Sequence, residues 1–198
     1  FDVCVVGAGA VGCAIARDVA STGFTVLLVE ADAVVGGVWH RNKYPNLRLH
    51  APGVSYRALS VAPAWQAPEL RMGEPDRIAY RPYQEEILRY IQDLAQHPNV
   101  TLRTSTSFCY AEVEERADGD GGNGRRRVVC SSLVASVRAL VHATGTYEVT
   151  AGKPYAPFDV SNVTNGATVI HSSALSAHQA AFDAAKTKYI IGASKAAV

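Results

Sequence analysis

The residues best placed for chemistry are three glycines, an acid and a second glycine pair, all within the first forty positions. Gly7-Ala-Gly9-Ala-Val-Gly12 is a GxGxxG run that follows the apolar stretch 2–6 and opens a segment with Val11, Ile15 and Val19 at helical spacing. Gly23 closes that segment, and a second apolar run, 24–30, ends on Glu30, eighteen residues after Gly12. In this order Gly7 permits a tight turn, Gly9 lets the backbone approach a pyrophosphate, and Gly12 lets the helix pack closely on the strand. The helix N-terminus offers unpaired N–H groups and a partial positive charge to phosphate. Glu30 can accept hydrogen bonds from both ribose hydroxyls of an adenosine and would repel a 2′-phosphate, so this first site is expected to reject NADP. An ordinary βα turn with an edge acid is the alternative, and the strand–turn–helix–strand context weighs against it.

These groups need a frame. Residues 2–6 and 24–30 read as buried parallel strands joined through a helix over 10–22, a right-handed βαβ unit. From 31 to 82 six prolines (Pro45, Pro52, Pro63, Pro68, Pro75 and Pro82) predict loops with short helices. Residues 83–96 form an amphipathic helix with Ile87, Leu88, Ile91, Leu94 and Ala95 on one face. Residues 99–115 and 126–137 read as strands joined by a Gly-rich hairpin loop, 138–143 as one more strand, 167–170 as a short strand and 174–186 as a helix. The apolar run Tyr189-Ile-Ile191 with Gly192-Ala-Ser194 behind it is a weak internal repeat of the opening theme, so the sequence reads as a first nucleotide unit, 1–165, and the truncated start of a second, 166–198.

Bulk properties exclude several classes. Lys and Arg total 19 against 18 Asp and Glu, a balance that gives no support for nucleic-acid binding, and the basic run Arg125–Arg127 reads as a solvated turn. No apolar stretch reaches the ~20 residues a transmembrane helix needs. Cys4, Cys13, Cys109 and Cys130 form no CxxC or CxxxxC and no close ligand pair, so neither a zinc site nor a redox-active dithiol is expected. They read as free, mostly buried thiols in a reducing compartment, and the expected location is the cytoplasm.

Gly36-Gly37-Val38-Trp39 follows Glu30 by six residues. Glycine pairs there are typical of FAD proteins of the glutathione-reductase type, and GGxW resembles the flavin-containing and Baeyer–Villiger monooxygenases. Later segments are similar to the same family in the same order. Tyr44-Pro-Asn-Leu-Arg48-Leu-His50-Ala-Pro52 matches the stretch that passes the flavin ring. Phe108 falls where backbone groups hold adenine. Ala143-Thr144-Gly145 resembles the segment linking the two nucleotide domains, His171-Ser172 the end of the family fingerprint, and Gly192-Ala-Ser194-Lys-Ala-Ala197 the turn that binds NADPH. Two positions depart from the pattern. Phe158 and Gly166 are too far apart for the Phe-x-Gly that should precede His171, and His50 stands where many flavin-containing monooxygenases have an Asn that helps to hold the peroxyflavin. Two readings of His50 stand: a hydrogen-bond donor beside the flavin, or a loop histidine.

The resemblance implies an α/β fold: a Rossmann-like FAD-binding domain with a parallel sheet and a β-meander insertion, followed by the start of an NADPH-binding domain. It implies a monooxygenase in which NADPH reduces FAD, O2 adds at the flavin C4a position, and the (hydro)peroxyflavin oxygenates a small organic substrate, by N- or S-oxygenation or Baeyer–Villiger insertion. The residues it assigns to cofactor are Gly7, Gly9, Gly12, Glu30, Gly37, Trp39, Phe108, Thr144, Gly145, Gly192 and Ser194, with His50 as the catalytic candidate and no metal. The competing reading is a truncated, catalytically idle fragment that binds FAD or a partner. A plain NAD dehydrogenase fits poorly with Gly36-Gly37 and with the long segment before Ala143.

Overall fold

The computed structural model describes residues 1–42, 46–66, 80–114, 124–145, 168–170, 175 and 177–188. Strand β1 (Val3–Val6), helix α1 (Ala10–Ser21) and strand β2 (Val26–Val29) form the expected βαβ unit, with β1 and β2 parallel and in register Val3 to Val26. The single-turn helix α2 (Val38–Arg41) follows, then two 3₁₀ turns at Gly53–Ser55 and Ala64–Gln66, as the proline-broken stretch predicted. Helix α3 (Gln84–Ala95) leads into β3 (Val100–Arg103). Strands β4 (Phe108–Val113), β5 (Arg126–Cys130) and β6 (Val134–Val137) come next, and β7 (Ala139–His142) closes the series. A short helix, α4 (Gln179–Ala184), lies further on.

The parallel strands run in the order β3-β2-β1-β7, and β4-β5-β6 form a separate antiparallel sheet. Each central strand is apolar on both faces because both faces are covered. Val5, Val26 and Leu28 join Cys13, Ala16 and Ala20 of α1 and Ile87, Ile91 and Leu94 of α3 in one core cluster. Cys4, Val6, Leu27 and Val29 point the other way and meet Val128, Cys130 and Val137 of the antiparallel sheet. The small residues on α1 let α3 come close, and burying each of the three large α3 side chains contributes about 1.5–3 kcal/mol.

Four sequence expectations need correction. The run 99–115 is two strands in different sheets, broken where Ser105 takes a positive φ of 49° and its N–H turns to the Asp32 carbonyl. The run 126–137 is a tight antiparallel pair, β5 and β6, turned at Ser131–Ser132. Residues 168–170 have no regular structure, and α4 is shorter than expected, starting only after a 3₁₀ turn at 177–178 and ending where the backbone turns extended at Ala185. Three thiols are buried and Cys109 is exposed, all four free. Among the described residues no helix is long and apolar enough to cross a membrane. The domain boundary near 165, His171-Ser172, the strand 189–191 and the turn with Gly192 and Ser194 lie outside the described residues.

Candidate dinucleotide-binding site

The site forms where the carboxyl ends of β1, β2 and β7 meet, the edge at which parallel sheets bind nucleotides. Gly7 has φ of +100°, and a Cβ there would stand 2.6 Å from the Ala143 carbonyl oxygen and 3.2 Å from the Thr144 Cα. The fingerprint turn thus rests directly on the Ala143-Thr144-Gly145 segment, which the Ala143 N–H ties to Val6. Thr144 and Gly145 are exposed at the rim. A Cβ at Gly12 would fall 1.8 Å from the Gly7 carbonyl oxygen, so the helix sits on its own turn at a distance only glycine allows.

Gly9 differs. It is the N-cap of α1 with an unremarkable φ of −74°, and the atom nearest an added Cβ is the Gly37 Cα at 3.8 Å, an ordinary contact. The chain's own packing does not demand glycine here. A group outside the chain approaching that backbone would, which is how a pyrophosphate fits this position. No side chain caps α1 and no acid lies in its first turn, leaving its N–H groups and dipole to an anion. Gly37, at φ +53°, brings the second glycine pair opposite: its Cβ would lie 3.0 Å from the Gly9 Cα.

One residue, Ala8, joins these pieces through its backbone. The Ala8 N–H donates to Glu30 Oε2 at 2.6 Å, while the Ala8 carbonyl accepts the Gly36 N–H at 2.9 Å and the Cys13 thiol at 3.4 Å. Glu30 Oε1 accepts the Asp32 N–H at 2.9 Å, and the residue is only 6% exposed. Each carboxylate oxygen keeps a further lone pair, so the anchored acid retains capacity for ribose hydroxyls. Burial, reinforced by the Glu30 charge, pushes the Cys13 thiol up to about 12, so it stays a neutral donor. Next to Glu30, the Thr106 N–H donates to the Glu30 carbonyl, which sets the start of β4 beside the acid; Phe108 is partly buried there with its ring edge-on to His142 at 5.0 Å.

Trp39 is half-buried, with Nε1 donating to the Tyr56 hydroxyl at 2.7 Å. Burial pushes the Tyr56 phenol up to about 12, so it too is neutral. Leu47 and Leu49 are buried while Arg48 and His50 face out, and the Arg48 guanidinium stacks on the Tyr83 ring at 3.6 Å. The His50 ring is exposed and its carbonyl accepts from Arg81. The structure brings Gly7, Gly9, Gly12, Glu30, Gly37, Thr144 and Gly145 to one strand-end cradle. Trp39 and Phe108 flank it, and His50 sits on a separate segment held by residues 81–84.

Sequence reasoning missed Gln84, whose side-chain amide reaches the carbonyls of Trp39 and Asn42. The signal was present: a polar residue at the helix position that shares the apolar face of Ile87, Leu88 and Ile91. The Arg41–Asp32 pair at 2.8 Å, which braces α2 against the chain leaving Glu30, had no comparable sequence cue.

The parallel sheet, the glycine turn and the buried strand-end acid define a dinucleotide-binding α/β protein. The family model for FAD dependent oxidoreductases matches residues 2–129, and the chain belongs to that family. It is 33% identical over 83 residues to a 2-oxo-Δ3-4,5,5-trimethylcyclopentenylacetyl-CoA monooxygenase of Pseudomonas putida, covering 40% of this chain and 15% of that protein. It is 28% identical over 140 residues to the flavin-containing monooxygenase FMO GS-OX5 of Arabidopsis thaliana, covering 59% and 29%. Among solved structures, an oxidized steroid monooxygenase bound to NADP superposes with a TM-score of 0.52 at 31% identity, over 73% of this chain and 26% of that one. The chain therefore spans less than a third of the length of these relatives.

Proposed function

We propose that this chain is the FAD-binding part of a flavin monooxygenase that uses NADPH and O2 to oxygenate a small organic substrate. The observation that carries the reading is the close approach of Gly9 and Gly37: two glycine backbones face one another at an uncapped helix N-terminus, beside the buried Glu30. Its relatives are flavin monooxygenases, and the steroid monooxygenase among them is bound to NADP.

In this reading the N–H groups of residues 9–12, at the start of α1, bind the pyrophosphate, with the helix dipole adding to the attraction. Glu30 accepts the ribose hydroxyls, held in orientation by the Ala8 and Asp32 N–H groups. The backbone around Phe108 borders the adenine, and Thr144 and Gly145 close the cradle from β7. Trp39, locked by Tyr56, walls the side toward the ring and excludes water there. His50 supplies a hydrogen-bond donor on the segment that passes the ring. Bound FAD supplies the electron transfer from NADPH and the reaction with O2. By its sequence pattern, the segment with Gly192 and Ser194 takes the NADPH pyrophosphate.

Turnover of the protein expressed from its complete gene with ¹⁸O2, NADPH and a panel of sulfides, amines and ketones should place one labelled oxygen in a product. Stoichiometric H2O2 with an unlabelled or desaturated product would make it an oxidase instead.

A further inference from the structure

Gln84 opens α3 and is only 9% exposed, a polar side chain on the face that Ile87, Ile91 and Leu94 bury. Both hydrogens of its amide are spent: Nε2 donates to the Trp39 carbonyl and, at 2.6 Å, to the Asn42 carbonyl. Its backbone N–H donates to the Leu47 carbonyl at 2.9 Å. One residue therefore holds the chain on both sides of positions 43–45. The helix it supports is a single turn, Val38–Arg41, with Asn42 as C-cap. A helix that short leaves its last carbonyls without intrahelical partners and does not persist unaided. One turn further along α3, the Leu88 side chain lies against Gly36, where an added Cβ would stand 2.8 Å from Leu88 Cδ2. The first turns of α3 thus fix α2 from its end and the glycine pair from its side. Gly37, which starts α2, faces Gly9.

Resting on the flavin reading above, we propose that Gln84 is a positioning residue for FAD: its amide holds α2 wound, and α2 holds Gly37 and Trp39 at the cradle. The side chain does not touch the cofactor. Its role is to donate twice into a helix end, so the loss of donors, and not the loss of volume, should be what the cofactor feels.

The test uses the protein expressed from its complete gene, stripped of flavin and titrated with FAD while flavin fluorescence is followed. Visible circular dichroism of the bound flavin reports its surroundings. Gln84→Met fills the same space but donates nothing and should raise the FAD Kd about tenfold. Gln84→Glu turns carboxylate oxygens toward two carbonyl oxygens and should raise it about a hundredfold. Both should alter the flavin dichroism. If Gln84→Glu fails to fold, the Met variant decides. A Met variant with the wild-type Kd and dichroism would overturn the positioning role and leave the flavin reading intact. A wild-type protein that takes up no FAD would overturn both.

Discussion

At the scale of single residues, the glycines of the fingerprint separate into those the fold requires and one it does not. Gly12 has the Gly7 carbonyl oxygen 1.8 Å from where a Cβ would go, and Gly9 meets only an ordinary contact. Gly12→Ala should therefore cost about 3 kcal/mol or more in denaturant unfolding, since backbone must move. Gly9→Ala should cost about 1 kcal/mol or less, the usual difference at a helix N-cap, while lowering FAD affinity at least tenfold. Equal stability losses in the two variants would remove the argument that Gly9 is kept for a ligand. The glycines and Glu30 were legible in the sequence because each answers a backbone demand at fixed spacing. The Cys13 thiol was not. Its bond to the Ala8 carbonyl depends on how the turn folds over the helix, and a cysteine at an apolar helix position reads as core.

At the scale of elements, the stretch 58–61, between the two 3₁₀ turns that follow the His50 segment, is tied down by two side chains from different helices. Asp18 of α1 accepts the N–H groups of Leu59 and Ser60 and the Ser60 hydroxyl, at 3.0, 2.7 and 2.5 Å. Tyr90 of α3 accepts the Ala58 N–H and donates to the Val61 carbonyl. Burial raises the Asp18 pKa, but the bonds from Ser60 and Leu59, with the Arg17 charge, outweigh it and bring the carboxyl below its ordinary 3.8. A depressed folded value means the stabilisation is present above the unfolded pKa and is lost as pH falls through the folded one. Asp18→Ala should cost about 1–2 kcal/mol at pH 7. That gap from wild type should be constant above pH 5 and narrow as pH falls below the ordinary carboxyl value of 3.8; a gap independent of pH would deny the carboxylate its part. The misjudged elements share a cause. Each break is marked only by a short polar run, Arg103-Thr-Ser-Thr-Ser107 between β3 and β4 and Ser131-Ser132 between β5 and β6, and residues of those types also occur within strands. The contact of Ser105 with Asp32, distant in sequence, is what turns the first run into a second sheet.

At the scale of the molecule, β1 and β2 are shared by two apolar clusters, one under the helices and one under the antiparallel sheet. The general plan was readable because both strands are apolar throughout, which only a doubly covered sheet explains. Val128 belongs to the second cluster and is fully buried. Val128→Ala should lower stability by about 2 kcal/mol in a single transition with an unchanged denaturant slope, because the two faces share their strands. A two-step curve would mean that the antiparallel sheet unfolds by itself.

The pairing of β1 between β2 and β7 also has a consequence for how the chain is made. β2 leaves the ribosome soon after β1, but β7 and the Ala143 carbonyl on which the Gly7 turn rests emerge only once the whole antiparallel sheet has been synthesised. For on the order of ten seconds at typical translation rates, one edge of an apolar strand, Val3–Val6, waits without its neighbour. The nascent chain is then a target for any holdase that recognises extended apolar segments, and slowing translation between codons 104 and 138 should lengthen that exposure.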